Sequence, residues 1–432
     1  MNFNTYSFKD LLSDIVDNRG KTCPVEDSGM PLIATNCIKE NTLYPVFEKV
    51  RYVSDDTYKT WFRGHPKSGD MIFVCKGSPG RVNWVPDPVS FCIAQDMVSI
   101  RADETKVYPK YLFALLRSKV TQQKILNMHV GTLIPHFKKG DFGNLYFDIP
   151  EDMDYQKKVG DAYFDFCLKI EANAQLNRTL EEMAQTIFKS WFVDFDPVKA
   201  KMNGEQPEGM DAATASLFPE KLVESELGLI PEGWEVGTLD SHTSMIIDHR
   251  GKTPKKLGSD WVEEGYPAIS AKNIKSKKIV RPDTIRFIDE ATYKKWMKEP
   301  LIKRDIIMTS EAPMGELYFF DGSEDFCLSQ RLYGLRAKSD VCSPEFLFNW
   351  LQTTKAKVDM EGRASGTTAL GIKQAELRKV KILTPPLELL EKYSAIASNL
   401  VDMAAKNNAQ NTVLEDLRDT LLPKLLSGEV EL

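Results

Sequence analysis

Apolar residues along this chain follow two kinds of pattern, and each kind occurs twice. Short runs rich in β-branched and large apolar residues, such as Met71-Ile72-Phe73-Val74 and Asp305-Ile306-Ile307-Met308-Thr309, are bounded by Gly and Pro and predict strands. Two longer stretches step their apolar residues by threes and fours. The first carries Val159, Tyr163, Phe166, Ile170, Leu176, Leu180, Met183 and Ile187. The second carries Leu389, Tyr393, Ile396, Leu400, Met403, Leu414, Leu417 and Leu421. Such spacing predicts a coiled-coil seam, the alternative being a long amphipathic helix laid on a domain. Shorter helices are predicted over residues 111–123 and 345–357, behind Pro109 and Pro344.

Both long stretches turn polar at their middle, at Asn173 and Asn177 in one and at Asn407 and Gln410 in the other. Laid side by side, centre meets centre and the amides satisfy one another. A buried amide at a seam fixes register at some cost in stability.

The doubling extends to the whole chain. Asp17-Asn18-Arg19-Gly20-Lys21-Thr22 returns as Asp248-His249-Arg250-Gly251-Lys252-Thr253, and Gly29-Met30-Pro31-Leu32-Ile33 as Gly265-Tyr266-Pro267-Ala268-Ile269. Phe91-Cys92-Ile93-Ala94-Gln95 returns as Phe326-Cys327-Leu328-Ser329-Gln330, and Gly131-Thr132 as Gly366-Thr367. Gln95 and Gln330 lie 235 residues apart, as do Tyr58 and Tyr293, Trp61 and Trp296, and Asn173 and Asn408. A register held so long means two copies of one unit. The expected fold is α+β: two mixed α/β domains in tandem (residues 1–150 and 235–384), with helices over 151–192 and 385–426 forming an antiparallel coiled coil with pseudo-two-fold symmetry. Residues 193–234, rich in Pro, Gly, Glu and Ala, are expected to be a connector running over the surface.

The net charge of −6 speaks at first against a nucleic-acid partner. Its distribution reverses that. Residues 1–150 carry +3 and residues 240–384 carry +5, whereas 151–239 carry −10 and 385–432 carry −4. Binding duplex DNA needs local positive potential rather than a basic protein, and the acidic helices suit protein partners. The 7 cysteines form no CxxC pair and are expected to be buried free thiols in a reducing compartment. No Cys/His cluster has zinc spacing. No apolar run approaches the roughly 18–20 residues that span a bilayer, and the polar start MNFNTYSFKDLLSD points to a cytoplasmic protein without membrane contact. Phosphate-loop, dinucleotide-binding, base-methylating and metal-nuclease motifs are all missing from the sequence.

Three stretches carry a family resemblance: Ile187-Phe188-Lys189-Ser190-Trp191-Phe192-Val193-Asp194-Phe195, Ser225-Glu226-Leu227-Gly228-Leu229-Ile230-Pro231-Glu232-Gly233-Trp234, and Leu421-Leu422-Pro423-Lys424-Leu425-Leu426-Ser427-Gly428. With the order domain, helix, domain, helix, the chain resembles the specificity subunit of type I restriction-modification systems over its full length. The Pro-Glu-Gly-Trp entry before the second domain has no copy before the first. The resemblance implies two target-recognition domains that each read half of a split DNA site, with the paired helices setting the gap. It implies modification subunits docked on the helices and restriction-motor subunits joined through them. S-adenosylmethionine, ATP and magnesium would be used by those partners, with no cofactor, metal or catalytic residue in this chain. Competing readings are a methyltransferase-only specificity subunit and a coiled-coil adaptor that does not bind DNA.

Within that frame, features shared by both copies should build the fold or grip phosphate, and differing loops should read bases. Arg19, Lys21, Arg250 and Lys252 are therefore candidates for turn formation with phosphate contact, or for plain surface turns. Gln95 and Gln330 are expected to be structural hydrogen-bonding groups inside apolar strands. Candidate readers in the first domain are Lys76, Ser78, Arg81, Asn83, His136, Lys138 and Lys139. Those in the second are Lys272, Asn273, Lys275, Lys277, Glu311, Arg331, Arg363, Thr368 and Lys373. Arg and Lys suit guanine, Asn suits adenine and Glu suits cytosine.

Overall fold

The computed structural model describes residues 2–18, 22–128, 135–366 and 369–430. The chain divides into two compact units. One is Met1–Leu176 with Lys406–Leu432, and the other is Asn177–Ala405. Each holds one copy of the repeat and part of both long helices.

The two copies build the same sheets. In the first unit a four-stranded antiparallel sheet runs in the order Leu12–Val16, Met97–Ala102, Met71–Val74, Val82–Trp84. In the second the order is Thr243–Asp248, Leu332–Ala337, Ile306–Thr309, Leu317–Phe319. A three-stranded sheet follows, with Met30–Ile33 antiparallel to Arg51–Val53 and parallel to Cys92–Ile93. Its counterpart sets Tyr266–Ile269 against Arg286–Ile288 and Cys327–Leu328. Each copy is closed by a strand pair, Phe3–Ser7 with Tyr146–Pro150 and Glu235–Thr238 with Lys381–Thr384. The apolar runs expected to be strands are the central strands, and their residues are fully buried.

Matched details extend to single residues. Gly29 and Gly265 have φ of +126° and +147°, where a Cβ would stand 2.3 Å from the Val53 carbonyl oxygen and 2.4 Å from that of Ile288. Only glycine fits the shared "Gly-x-Pro" entry. Asp70 and Asp305, both buried, accept from Arg101 and Arg336 at 2.8–3.0 Å. A charge so enclosed needs such a partner.

Each helix expected over 111–123 or 345–357 is instead two. Pro109–Arg117 and Lys119–Met128 break at Ser118, and Pro344–Trp350 and Thr354–Arg363 break near Thr353. Ser118 and Thr353 have extended ψ of 143° and 153°, and their hydroxyls accept from the Thr121 and Ala356 amides at 3.2 Å. A hydroxyl competing for the next turn's N–H restarts the helix.

The long helices span Met153–Phe192 and Leu387–Leu426, 40 residues each. In the first unit their segments run antiparallel. Buried Asn173 donates to Gln410 Oε1 and Asn411 Oδ1, both at 2.8 Å, and Asn411 donates to the Ile170 carbonyl. In the second unit Asn177 donates to the Ala404 carbonyl at 3.3 Å. The register amides thus meet, with Asn411 rather than Asn407 as the second acceptor of Asn173. The seam is narrower than the apolar pattern suggests. Leu176, Met183, Ile396, Met403 and Leu417 are exposed, as follows when the 3.6-residue helical turn drifts against a 3.5-residue repeat over 40 residues.

Residues 193–234 are not a surface connector. They form helices Asp196–Met202 and Ala212–Ser216 and a hairpin of Leu222–Ser225 with Gly228–Pro231. Phe195, Phe218, Ile230 and Trp234 are buried with Trp191, Phe192 and Tyr393 in the second unit's core. Aromatic burial overrides the loop-like composition. Among the described residues the first unit is sealed differently. Its core takes Leu422 and Leu425, and Tyr155 donates to the Leu425 carbonyl at 2.6 Å.

Candidate nucleic-acid interface

In each unit three loops converge beside the four-stranded sheet, held by one backbone frame. In the first, the Cys75 amide donates to the Asp96 carbonyl at 2.9 Å and the Phe137 amide to the Cys75 carbonyl at 2.8 Å. In the second, the Ser310 amide donates to the Arg331 carbonyl at 2.8 Å and the Ile372 amide to the Ser310 carbonyl at 3.0 Å. Bridges of Lys76 with His136 and of Glu311 with Gly371 occupy matching places. The hydrogen bonds that hold the frame are therefore matched, while the side chains it presents differ, and so does the backbone at Arg331, whose φ is left-handed where that of Asp96 is not.

On the first rim Lys76 is half exposed and stands 4.0 Å from Asp96, and Lys139 lies 3.8 Å from Asp17. Lys138 is exposed, while His136 and Ser78 are half-buried. On the second, Arg331 is exposed, has a left-handed φ of 64°, and pairs with Glu311 at 2.8 Å. A non-glycine residue in that region is uncommon and is often kept for its side chain. Arg250 is clamped by Asp248 at 2.8 Å, with its guanidinium 4.3 Å from the centre of the Tyr333 ring. Burial pushes the Tyr333 phenol up to about 12, so the neutral ring is a platform for the cation. Lys373 is exposed next to Ile372.

Other expected readers lie elsewhere. Asn83 is fully buried, donating to the Lys39 and Thr42 carbonyls at 2.9 and 2.7 Å and accepting from the Lys39 amide. Asn273 is equally buried, donating to the Val280 and Arg281 carbonyls and accepting from Ser270. Both amides hold loops and have nothing left for a base edge. Lys277 pairs with Glu181 of the long helix, and Lys252 donates to the Trp296 carbonyl at 2.8 Å. Arg363 is held by Asp359 one helical turn away, and Arg81 by Glu40. Lys272 and Lys275 are exposed at the ribbon Ile274–Lys275 with Lys278–Ile279. Gln95 and Gln330 are exposed on the turns after two-residue strands, not structural groups within them. Gly366 has a φ of +132°, and a Cβ there would stand 2.2 Å from the Ala369 carbonyl oxygen, so only glycine fits that position. Arg19, Lys21, Gly131, Thr132, Thr367 and Thr368 lie outside the described residues.

Asp17, Asp96, Asp248 and Tyr333 complete the rims and were not picked out from sequence. Asp96 had a usable signal, since it stands 235 residues before Arg331. Among the described residues no group of three or more His, Cys, Asp or Glu could hold a metal ion, and no helix is long and apolar enough to cross a membrane.

Known proteins add a family to this geometry. The family model described as "Type I restriction modification DNA specificity domain" matches residues 12–182 and 231–416. The chain is similar to the type I restriction enzyme HindI specificity subunit of Haemophilus influenzae, 27% identical over 84% of this chain and 87% of that one. It is also similar to the MjaIX specificity subunit of Methanocaldococcus jannaschii, 24% identical over 75% and 69%. Among solved structures, the type I restriction-modification S subunit from M. genitalium matches in fold, with a TM-score of 0.57 and 16% identity over 98% of this chain and 96% of that one.

Proposed function

The chain belongs to the family of type I restriction-modification DNA specificity domains, and from that premise we propose how its two copies divide the work. It is the DNA-sequence-recognition subunit of a type I system and a non-catalytic part of it. Each copy reads one half of a bipartite duplex target through its rim: Lys76, Asp96, His136, Lys138 and Lys139 in the first, and Arg250, Glu311, Arg331 and Lys373 in the second. The observation that carries this reading is one backbone frame presenting two different sets of polar side chains. Shared main chain and divergent side chains are what two readers of different half-sites require.

The long helices set the gap between half-sites and carry the modification subunits. The exposed apolar side chains on them support that role: Leu176 and Leu417 in the first unit, Met183, Ile396 and Met403 in the second. Restriction-motor subunits join through the modification subunits. S-adenosylmethionine, ATP and magnesium serve those partners, and the assembly works in the cytoplasm. The test is to sequence methylated adenines in DNA exposed to the chain assembled with its modification subunit. One split motif with a fixed gap is expected, and methylation without any shared motif would overturn the reading.

A further inference from the structure

Resting on that reading, we propose that the pairs Lys76–Asp96 and Glu311–Arg331 are one reading device mounted in two senses, each recognising a G·C base pair with the opposite strand as guanine. Lys76 and Glu311 occupy the same frame position, directly after Cys75 and Ser310. Asp96 and Arg331 occupy the facing position, whose carbonyls receive the Cys75 and Ser310 amides. At both positions the charge is exchanged between copies: donor then acceptor in the first, acceptor then donor in the second. All four side chains are at least 40% exposed, so neither pair is there to neutralise a buried charge.

The spacing fits a base-pair edge. In the major groove guanine offers the acceptors O6 and N7, and cytosine the N4 donor. O6 and N4 are hydrogen-bonded to each other in the pair, so they lie about 2.9 Å apart. Each side-chain pair likewise sets a donor beside an acceptor, 4.0 Å apart in the first unit and 2.8 Å in the second. Laid edge to edge, the cation faces O6 and N7 while the carboxylate takes the N4 hydrogen. A thymine would give the cation only O4 beside a methyl group, which favours guanine. Exchanging the charges exchanges which strand carries it.

The experiment selects bound sequences from a random duplex library with the assembled complex, comparing wild type, Lys76→Glu with Asp96→Arg, and Lys76→Gln with Asp96→Asn. Melting temperatures should agree across the three, since both sites are exposed. With the exchanged pair, one position of one half-site should change from G to C, by about five- to a hundred-fold in preference, and the other half-site should keep its sequence. The neutral pair should accept any base at that position. Glu311→Lys with Arg331→Asp should produce the reverse change in the other half-site. An unchanged motif with either first-copy variant overturns the proposal, and inversion at an A·T position overturns the guanine assignment. Should the exchanged pair bind nothing, the neutral pair decides by whether that position relaxes. A wild-type complex that selects no split motif overturns the function reading and this inference with it.

Discussion

The first unit is assembled from two stretches of chain and the second from one, yet both carry the same sheets, the same broken helix and the same enclosed Asp–Arg pair. They differ in how the core is sealed. Phe192, Phe195, Phe218 and Trp234 close the second, whereas Leu422 and Leu425 from the end of the chain enter the first. They differ again on the rims, where Lys76 and Asp96 stand where Glu311 and Arg331 do. A repeated unit can thus change its seal and the side chains on its rim independently, provided the frame between them stays fixed.

That comparison can be broken at several points, beginning with the largest effect. Phe192→Ala removes a ring packed on Phe346, Tyr393 and Trp234 and should cost about 3–5 kcal/mol. Hydrogen exchange followed unit by unit should show the loss in the second unit, and an equal loss in the first would contradict separate seals. Asp70→Ala and Asp305→Ala should each cost about 3 kcal/mol, since both leave a guanidinium without its enclosed partner. Matching losses by denaturant titration are expected; one variant that folds unharmed would end the equivalence of the two scaffolds.

Replacing both Asn173 and Asn411 with Leu should raise the first unit's stability by about 1–2 kcal/mol, the polar contact being kept for register. A lowered melting temperature would refute that view. The smallest effect concerns His242, which stands where the first copy has Leu11. Its Nδ1–H donates to the Thr238 carbonyl, and Nε2 accepts from the Thr384 hydroxyl. Burial lowers its pKa below the ordinary 6.5. Below about pH 6.5 the unfolded chain therefore binds a proton that the folded unit resists. Stability falls with pH there, by under about 1 kcal/mol per pH unit. His242→Leu should weaken that pH dependence of hydrogen exchange in the second unit alone, leaving the part due to His249, whose pKa burial also lowers.

Much of the architecture was legible because it is periodic and doubled. The helices expected over 151–192 and 385–426 end within two residues of those bounds. Register polarity at Asn173 was legible too, although which side chains answer it, Gln410 and Asn411, depends on how the two helices rotate against each other. The readers were harder. Asn83 and Asn273 have the side chains of base readers, but burial decides their role, and residue type does not disclose burial. Gln95 and Gln330 looked internal to strands because the apolar run continues past the last paired residues, Ile93 and Leu328. The connector misled in the opposite direction, since its Pro and Gly content masked Phe195, Phe218 and Trp234.

The bond from Tyr155 to the Leu425 carbonyl spans 270 residues, and it fixes an order of events during synthesis. Translation at about 5–20 residues per second puts roughly 15–50 s between emergence of the two ends of that contact. The second unit, continuous from Asn177 to Ala405, is complete before Leu422 and Leu425 exist. The copy that begins first is therefore finished last, and a ribosome that stops short of the final helical turns releases a chain with one mature recognition domain and one unsealed.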